Sequence, residues 1–358
     1  MPDICTTHPV ILYDYLIMNS NAAFFKTNVT LRITALWAFS EAFMGGILHG
    51  LKIPFAGLVL AFVASVCITL IALGNHSKGE IIKATLLVVA VKFILSPHTP
   101  PMAYVAVLIQ GVAGELLFLQ RKNIKPAAFI LTVFSLLYSA LQHLLILTII
   151  FGKEFWLAMD IFLNKIAHIF VRDTVSYSLY IVSFYLGCYV IAGIAGGIIN
   201  ISIINSVQSG YKTTALLHRL NNLPAPASNF LIGEGRPGRK KTLAFIFGSL
   251  MLVLLVFTYL PFFKSGFPAS AIMVLITRAV VIVLVWKFFI NPLLHIQIQK
   301  WVNSYKQKNE HALQQVLALL PEIKVILQQS WHLSHSSTTW LRFKNFINNA
   351  VLLIVHKE

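Results

Sequence analysis

Eight side chains able to carry a charge or a strong hydrogen bond stand inside long apolar runs: Glu41, His49, Lys92, Gln110, Glu115, Gln142, His143 and Arg278. In such surroundings a charge is costly unless it is paired or faces a polar cavity, so each is a candidate for substrate contact or proton transfer. Glu41 lies nearest the middle of its run, one helical turn after Trp37, and its bland alternative is a hydrogen bond to a neighbouring helix. His49, Lys92 and Glu115 lie near run ends, where side chains can reach water. Between two runs comes Leu95-Ser96-Pro97-His98-Thr99-Pro100-Pro101-Met102-Ala103-Tyr104, stiffened by its prolines. Its His98, Thr99 and Tyr104 either line the outer mouth of a cavity or belong to a plain connector.

Other chemistries have little footing. The chain has 12 histidines, but no His-Glu-x-x-His pair and no Cys-x-x-Cys array, so no metal site and no catalytic set is expected. No Gly-x-Ser-x-Gly elbow supports a serine nucleophile. The segment Gly233-Glu234-Gly235-Arg236-Pro237-Gly238-Arg239-Lys240-Lys241-Thr242 has two glycines at phosphate-loop spacing, yet Arg239 stands where the lysine belongs and a membrane span follows. This chain is therefore expected to bind no cofactor of its own, and any ATP it depends on must be hydrolysed by a partner.

The elements that position these residues follow from composition. Of 358 residues 57% are hydrophobic and only 11% charged, against roughly a quarter charged in an ordinary soluble domain. Mean hydropathy is +0.77. A soluble globule cannot hide that much apolar surface, and three cysteines, Cys5, Cys67 and Cys188, are too few for a disulfide scaffold. The fold expected is an all-α integral membrane protein in contact with membrane lipids. The net charge of +16 belongs to the segments between apolar runs, where it sets orientation and meets anionic headgroups; nucleic-acid binding is not expected. Met1-Pro2-Asp3 lacks the basic start of a cleavable signal.

A span needs about 20 apolar residues. Eight are predicted: Ile33 to Gly50, Ile53 to Leu73, Ile81 to Leu95, Met102 to Leu119, Ala127 to Phe151, Ser176 to Ile204, Thr242 to Phe263 and Ala269 to Ile290. The third is the shortest, and Phe155 to Val171 has the mixed apolar and basic pattern of an interfacial segment. Lys26, Arg32, Lys78, Lys83, Arg121, Lys122, Lys125, Arg219 and Arg236 all fall on one side of that arrangement. A multi-pass protein of the plasma (inner) membrane with both termini in the cytoplasm is expected.

Three regions result: 1–205 with six spans, a basic linker over 206–241 rich in Pro and Gly, and 242–358 with two spans and a patterned tail. In that tail His311 to Leu320 and Glu322 to Leu333 flank Pro321, which is expected to break the helix. A second amphipathic helix follows, with Trp340, Phe343, Ile347, Val351 and Ile354 at three- or four-residue steps. Such helices are expected to lie on a surface, adsorbed on lipid or docked to a soluble partner. Ala38 with Ala42, and Gly193 with Gly197, stand four apart, the spacing that lets helices approach closely in a bilayer.

On these residues the first region resembles the substrate-binding S component of energy-coupling factor transporters. The resemblance rests on six short spans, Ala38-x-x-x-Ala42, the loop Gly50-Leu51-Lys52-Ile53-Pro54-Phe55-Ala56-Gly57, and the run from Tyr104 to Phe118. The second region is similar to a shortened T component, the scaffold that grips two cytoplasmic ATPases, through Leu319-Leu320-Pro321-Glu322-Ile323. Where T components end their coupling helices in a small-Arg-small signature, this chain has Ser334-His335-Ser336.

The resemblance implies a six-helix bundle plus two further membrane helices and cytoplasmic amphipathic helices. It implies uptake of a vitamin or precursor, with Glu41, His49, His98, Tyr104, Glu115 and Trp156 toward the substrate. Ala38 and Ala42 would face the T-like helices, and His335 and His356 the ATPase subunits. Cobalt-type relatives hold their metal with a histidine close to Met1; this chain places His8 later, which implies an organic substrate. The reading set against it is a membrane-embedded enzyme acting on a lipid or isoprenoid, with Glu41, His49 or His143 as acid or base. A non-catalytic scaffold that uses the tail alone is the third.

Overall fold

The computed structural model describes residues 29–45, 56–75, 77–97, 99–119, 123–167, 176–209, 279–334 and 339–356. His49, His98, His335, most of the linker and the predicted seventh span lie outside them, as does the side chain of His356.

The described residues are helical. Helix α1 covers 29–45 and contains a π-helical turn, Ser40–Met44. It is followed by α2 (Ala56–Gly74), α3 (Glu80–Leu95), α4 (Pro101–Leu117), α5 (Ile124–Phe151), α6 (Lys153–Ala167) and α7 (Tyr177–Ser209). Then come α8 (Ala279–Lys308), α9 (Glu310–Leu333) and α10 (Thr339–His356).

Local chemistry sets these boundaries. Gly79, with φ +83, takes the left-handed conformation that turns the chain into α3. Glu80 then sits in the first turn of α3 and Lys92 in the last, each complementing the helix dipole. Ser96 and Pro97 end α3, and Pro101 opens α4 at a position where no donor is missed. Gly152, with φ 74, stops α5. Asp160 of α6 accepts hydrogen bonds from the Ser178 backbone N–H at 2.6 Å and its hydroxyl at 2.9 Å, so α6 caps the start of α7.

Pro321 does not break its helix as expected, and Pro292 also lies inside one. Helix α8 runs through Asn291-Pro292, with a π turn, Trp286–Ile290, directly before it. That wider turn relieves the clash between the Pro292 ring and the carbonyl one turn back. Pro321 likewise sits inside continuous α9. Leu320, Ile323 and Ile326 are buried on either side of it, and their shared packing holds the two halves as one helix.

Among the described residues four helices are long and apolar enough to cross a membrane: Gly57–Gly74, Ile124–Phe151, Tyr177–Ser209 and Ala279–Lys308. Helices α5 and α7 pack against each other along much of their length. The closeness comes from glycine. A Cβ on Gly197 would meet the Phe129 ring, and one on Gly193 would crowd the backbone of Val133. The outer sides of α4 to α8 expose Leu116, Ile149, Phe184, Ile191 and Leu293, a surface suited to hydrocarbon and not to water. The molecule is built as a membrane protein.

Helices α1 and α3 have a different character. At 16 residues α3 is roughly 24 Å long, short of the ~30 Å hydrocarbon core. From Leu87 to Lys92 it is buried without interruption. Most of α1 is buried too, Trp37 and Ala38 completely. The tail closes over this centre. Leu313, Val316, Leu320, Ile323 and Ile326 of α9, with Val351, Leu353 and Ile354 of α10, belong to the same core cluster as Ile33 and Val88. Of the apolar stripes expected to lie on a surface, that of α9 and the Val351–Ile354 end of that of α10 are thus turned inward, while Phe343 is exposed.

Candidate functional site

Glu41 and Lys92 meet in the buried centre. Lys92 Nζ lies 2.7 Å from Glu41 Oε2, with the side chains 3% and 5% exposed. Each isolated charge would cost several kcal/mol in this interior, so each needs the other. The ammonium also donates to the Ala103 carbonyl at 3.4 Å and lies 5.7 Å from the centre of the Tyr104 ring.

Three elements create the pair. The π turn of α1 carries Glu41, a departure from regular helix of the kind often found at functional sites. The last turn of α3 carries Lys92, where the helix C-terminus favours a cation. The first turn of α4 brings Tyr104, whose hydroxyl donates to the Ser96 carbonyl at 3.1 Å, while the Ser96 hydroxyl donates to the Ala42 carbonyl at 3.1 Å. Helices α1, α3 and α4 are thereby tied together one turn below the proline-rich α3–α4 connection. Ala42 is buried beside the pair, and Ala38 is buried one turn earlier.

The tail reaches this region as well. His295 of α8 lies against the Phe93 ring, with ring centres 6.1 Å apart, next to Lys92 in the chain. Helix α9 packs on α3, and its Glu322 is 4.0 Å from Arg32 of α1.

Other expected site residues lie elsewhere. Glu115, at the far end of α4, is eleven residues from Tyr104, roughly 16 Å along the helix. Its Oε1 accepts from the Gly79 backbone N–H at 2.6 Å, a bond that fixes the turn into α3. Trp156 is on α6 and donates from its indole nitrogen to Thr148 Oγ1 at 3.2 Å. Gln142 donates to the Met102 carbonyl at 3.0 Å and joins α5 to the start of α4, while His143 is exposed. Glu41 and Tyr104 are therefore brought together, and Glu115 and Trp156 are not with them.

A second polar group had no prominence in the sequence. Asn200 of α7 donates from Nδ2 to Thr69 Oγ1 at 3.1 Å and Thr132 Oγ1 at 3.0 Å, and Thr132 Oγ1 lies 3.2 Å from Ser65 Oγ. Both threonine hydroxyls also donate to carbonyls one turn back, so their oxygens face Asn200 as acceptors, and the amide orientation is fixed. This knot joins α2, α5 and α7. An asparagine within a fully apolar run was the available signal.

Among the described residues no three His, Cys, Asp or Glu side chains gather as a metal site. No protein-family profile, curated protein or solved structure matches this chain.

Proposed function

We propose that this chain is the membrane subunit of an ATP-driven uptake transporter for a small organic micronutrient, a vitamin or its precursor. It binds the substrate among its helices, while separate cytoplasmic ATPase subunits supply the energy. The observation that carries this reading is the buried Glu41–Lys92 pair on helices that the tail itself contacts. A charged pair in so apolar an interior needs a reason to be there, and a substrate or ion pathway is one.

The arrangement suits coupling. Lys92 is on α3, which α8 and α9 both touch, so a displacement of the tail is felt at the pair. Separating the pair without a substitute costs about 3–5 kcal/mol, so in this reading another group must answer the ammonium whenever Glu41 leaves it. In this reading the first region acts as an S-component-like bundle in the plasma membrane. The tail, with its inner side occupied by that bundle, would offer its outer side to the ATPases in the cytoplasm, and His335 and His356 are the residues expected to meet them.

The test is purification of the chain from its native membrane in mild detergent, followed by mass spectrometry of what accompanies it. Nucleotide-hydrolysing subunits together with a small organic compound are the expected companions. A solitary chain that turns over labelled lipid would replace the transporter with the enzyme reading.

A further inference from the structure

We infer that Lys92 is the recognition cation for a small organic carboxylate, and that Glu41 occupies the substrate's place until the substrate arrives. The inference rests on the transporter reading and narrows it to substrates that carry a carboxylate on an apolar body.

The two partners are not equally anchored. Lys92 extends from a regular helix, near its favourable end, and keeps the Ala103 carbonyl and the Tyr104 ring when Glu41 is removed. Glu41 stands in a π turn, whose return to regular helix would carry its side chain away. The member that moves is therefore the carboxylate, and the group that can take its place is another one of the same charge and shape.

The surroundings fit such a ligand. Phe93 and Tyr104, with ring centres 6.0 Å apart, supply apolar and aromatic contact beside the cation. Trp37, on the same side of α1 as Glu41 and one turn away, is fully buried, and its indole N–H has no partner. A buried donor left unpaired costs about 1–3 kcal/mol and is available to a ligand oxygen. The site lies one turn beneath the α3–α4 connection.

Charge balance adds a requirement. When the ligand carboxylate takes the ammonium, Glu41 loses its counter-ion in a low-dielectric interior and must accept a proton from solution. The exchange is then Lys92–NH3+ paired with Glu41–COO−, plus ligand carboxylate and H+, giving Lys92–NH3+ paired with the ligand and Glu41–COOH. Around the pair stand Cys67 of α2, within electrostatic reach of Glu41, and Tyr104 of α4. His295 of α8 lies beyond Phe93, and Arg32 with Glu322 of α9 are nine residues away along α1. Among the described residues Glu41 is the carboxylate placed to take up the proton.

The experiment uses the full chain in lipid nanodiscs with benzoate as the probe, since it joins a carboxylate to an apolar ring. Binding should strengthen as the pH is lowered between about pH 6 and 8, where benzoate stays ionised. Glu41→Gln should bind about tenfold more tightly, with no pH dependence. The double variant Glu41→Gln/Lys92→Met removes both charges, avoids a lone buried ion, and should lose binding by about tenfold or more. Compounds extracted from the purified wild-type chain should include an organic acid that the double variant does not retain.

Benzoate binding that is independent of pH, binding unchanged in the double variant, or no benzoate binding would each overturn the exchange. So would a neutral or cationic extracted compound, while leaving the transporter reading in place if ATPase subunits still accompany the chain. An anionic phospholipid as the displaced species would assign the site to a headgroup and overturn the inference. Absence of both ATPase subunits and any retained compound would fail the underlying reading.

Discussion

At the scale of single residues, the molecule places its costliest groups where several helices can answer for them. Removing one half of the Glu41–Lys92 pair strands the other in an apolar interior. Lys92→Met should therefore lower stability by about 3–5 kcal/mol, and Glu41→Leu combined with it should recover most of that loss. Thermal unfolding in a fixed detergent, measured as a double-mutant cycle, checks this; additive losses would mean the charges do not depend on each other. Asn200 behaves differently. Its Oδ1 is buried without a partner, so Asn200→Leu removes an unsatisfied carbonyl together with two hydrogen bonds. A change of less than about 1.5 kcal/mol is expected in the same assay.

At the scale of elements, small residues decide which helices can touch. Gly197 has the Phe129 ring where a Cβ would go, whereas Gly187, two to three turns earlier on the same helix, has open space. Gly197→Leu should destabilise by about 1–3 kcal/mol through overpacking of α5 against α7. Gly187→Ala should stabilise by about 0.5–1 kcal/mol, because only the helix propensity changes. Equal effects at the two positions would contradict the described packing.

Elements were also the level at which the sequence was most readable. Apolar runs, with Gly79, Pro101 and Gly152 at their ends, marked α2 through α7 to within a few residues. Pro321 misled, because tertiary packing overrides a local rule. The candidate site was half legible. Glu41 and Lys92 each stood out as ions in apolar runs, but they are 51 residues apart, and no periodicity connects positions on separate helices. Glu115 looked like Glu41 in the sequence and yet serves a backbone turn, a distinction only the fold makes.

At the scale of the whole molecule, the tail is part of the core. Helices α9 and α10 contribute Leu313, Leu320, Ile323, Val351 and Leu353 to the cluster that also holds α1 and α3. A chain stopped after Lys308 should therefore aggregate on size-exclusion chromatography in mild detergent, since the buried sides of α1 and α3 lose their cover. A monodisperse truncated protein would show that the tail is a detachable appendage. The same integration gives the tail a mechanical path to Lys92, on which transport depends in this account.

The most direct test is substrate accumulation in proteoliposomes that contain the purified native assembly. Import of the co-purified organic compound should require ATP on the side of the tail and should fall to background in Glu41→Gln/Lys92→Met. Accumulation without ATP, accumulation unaffected by loss of the pair, or no accumulation by an intact assembly would contradict the account.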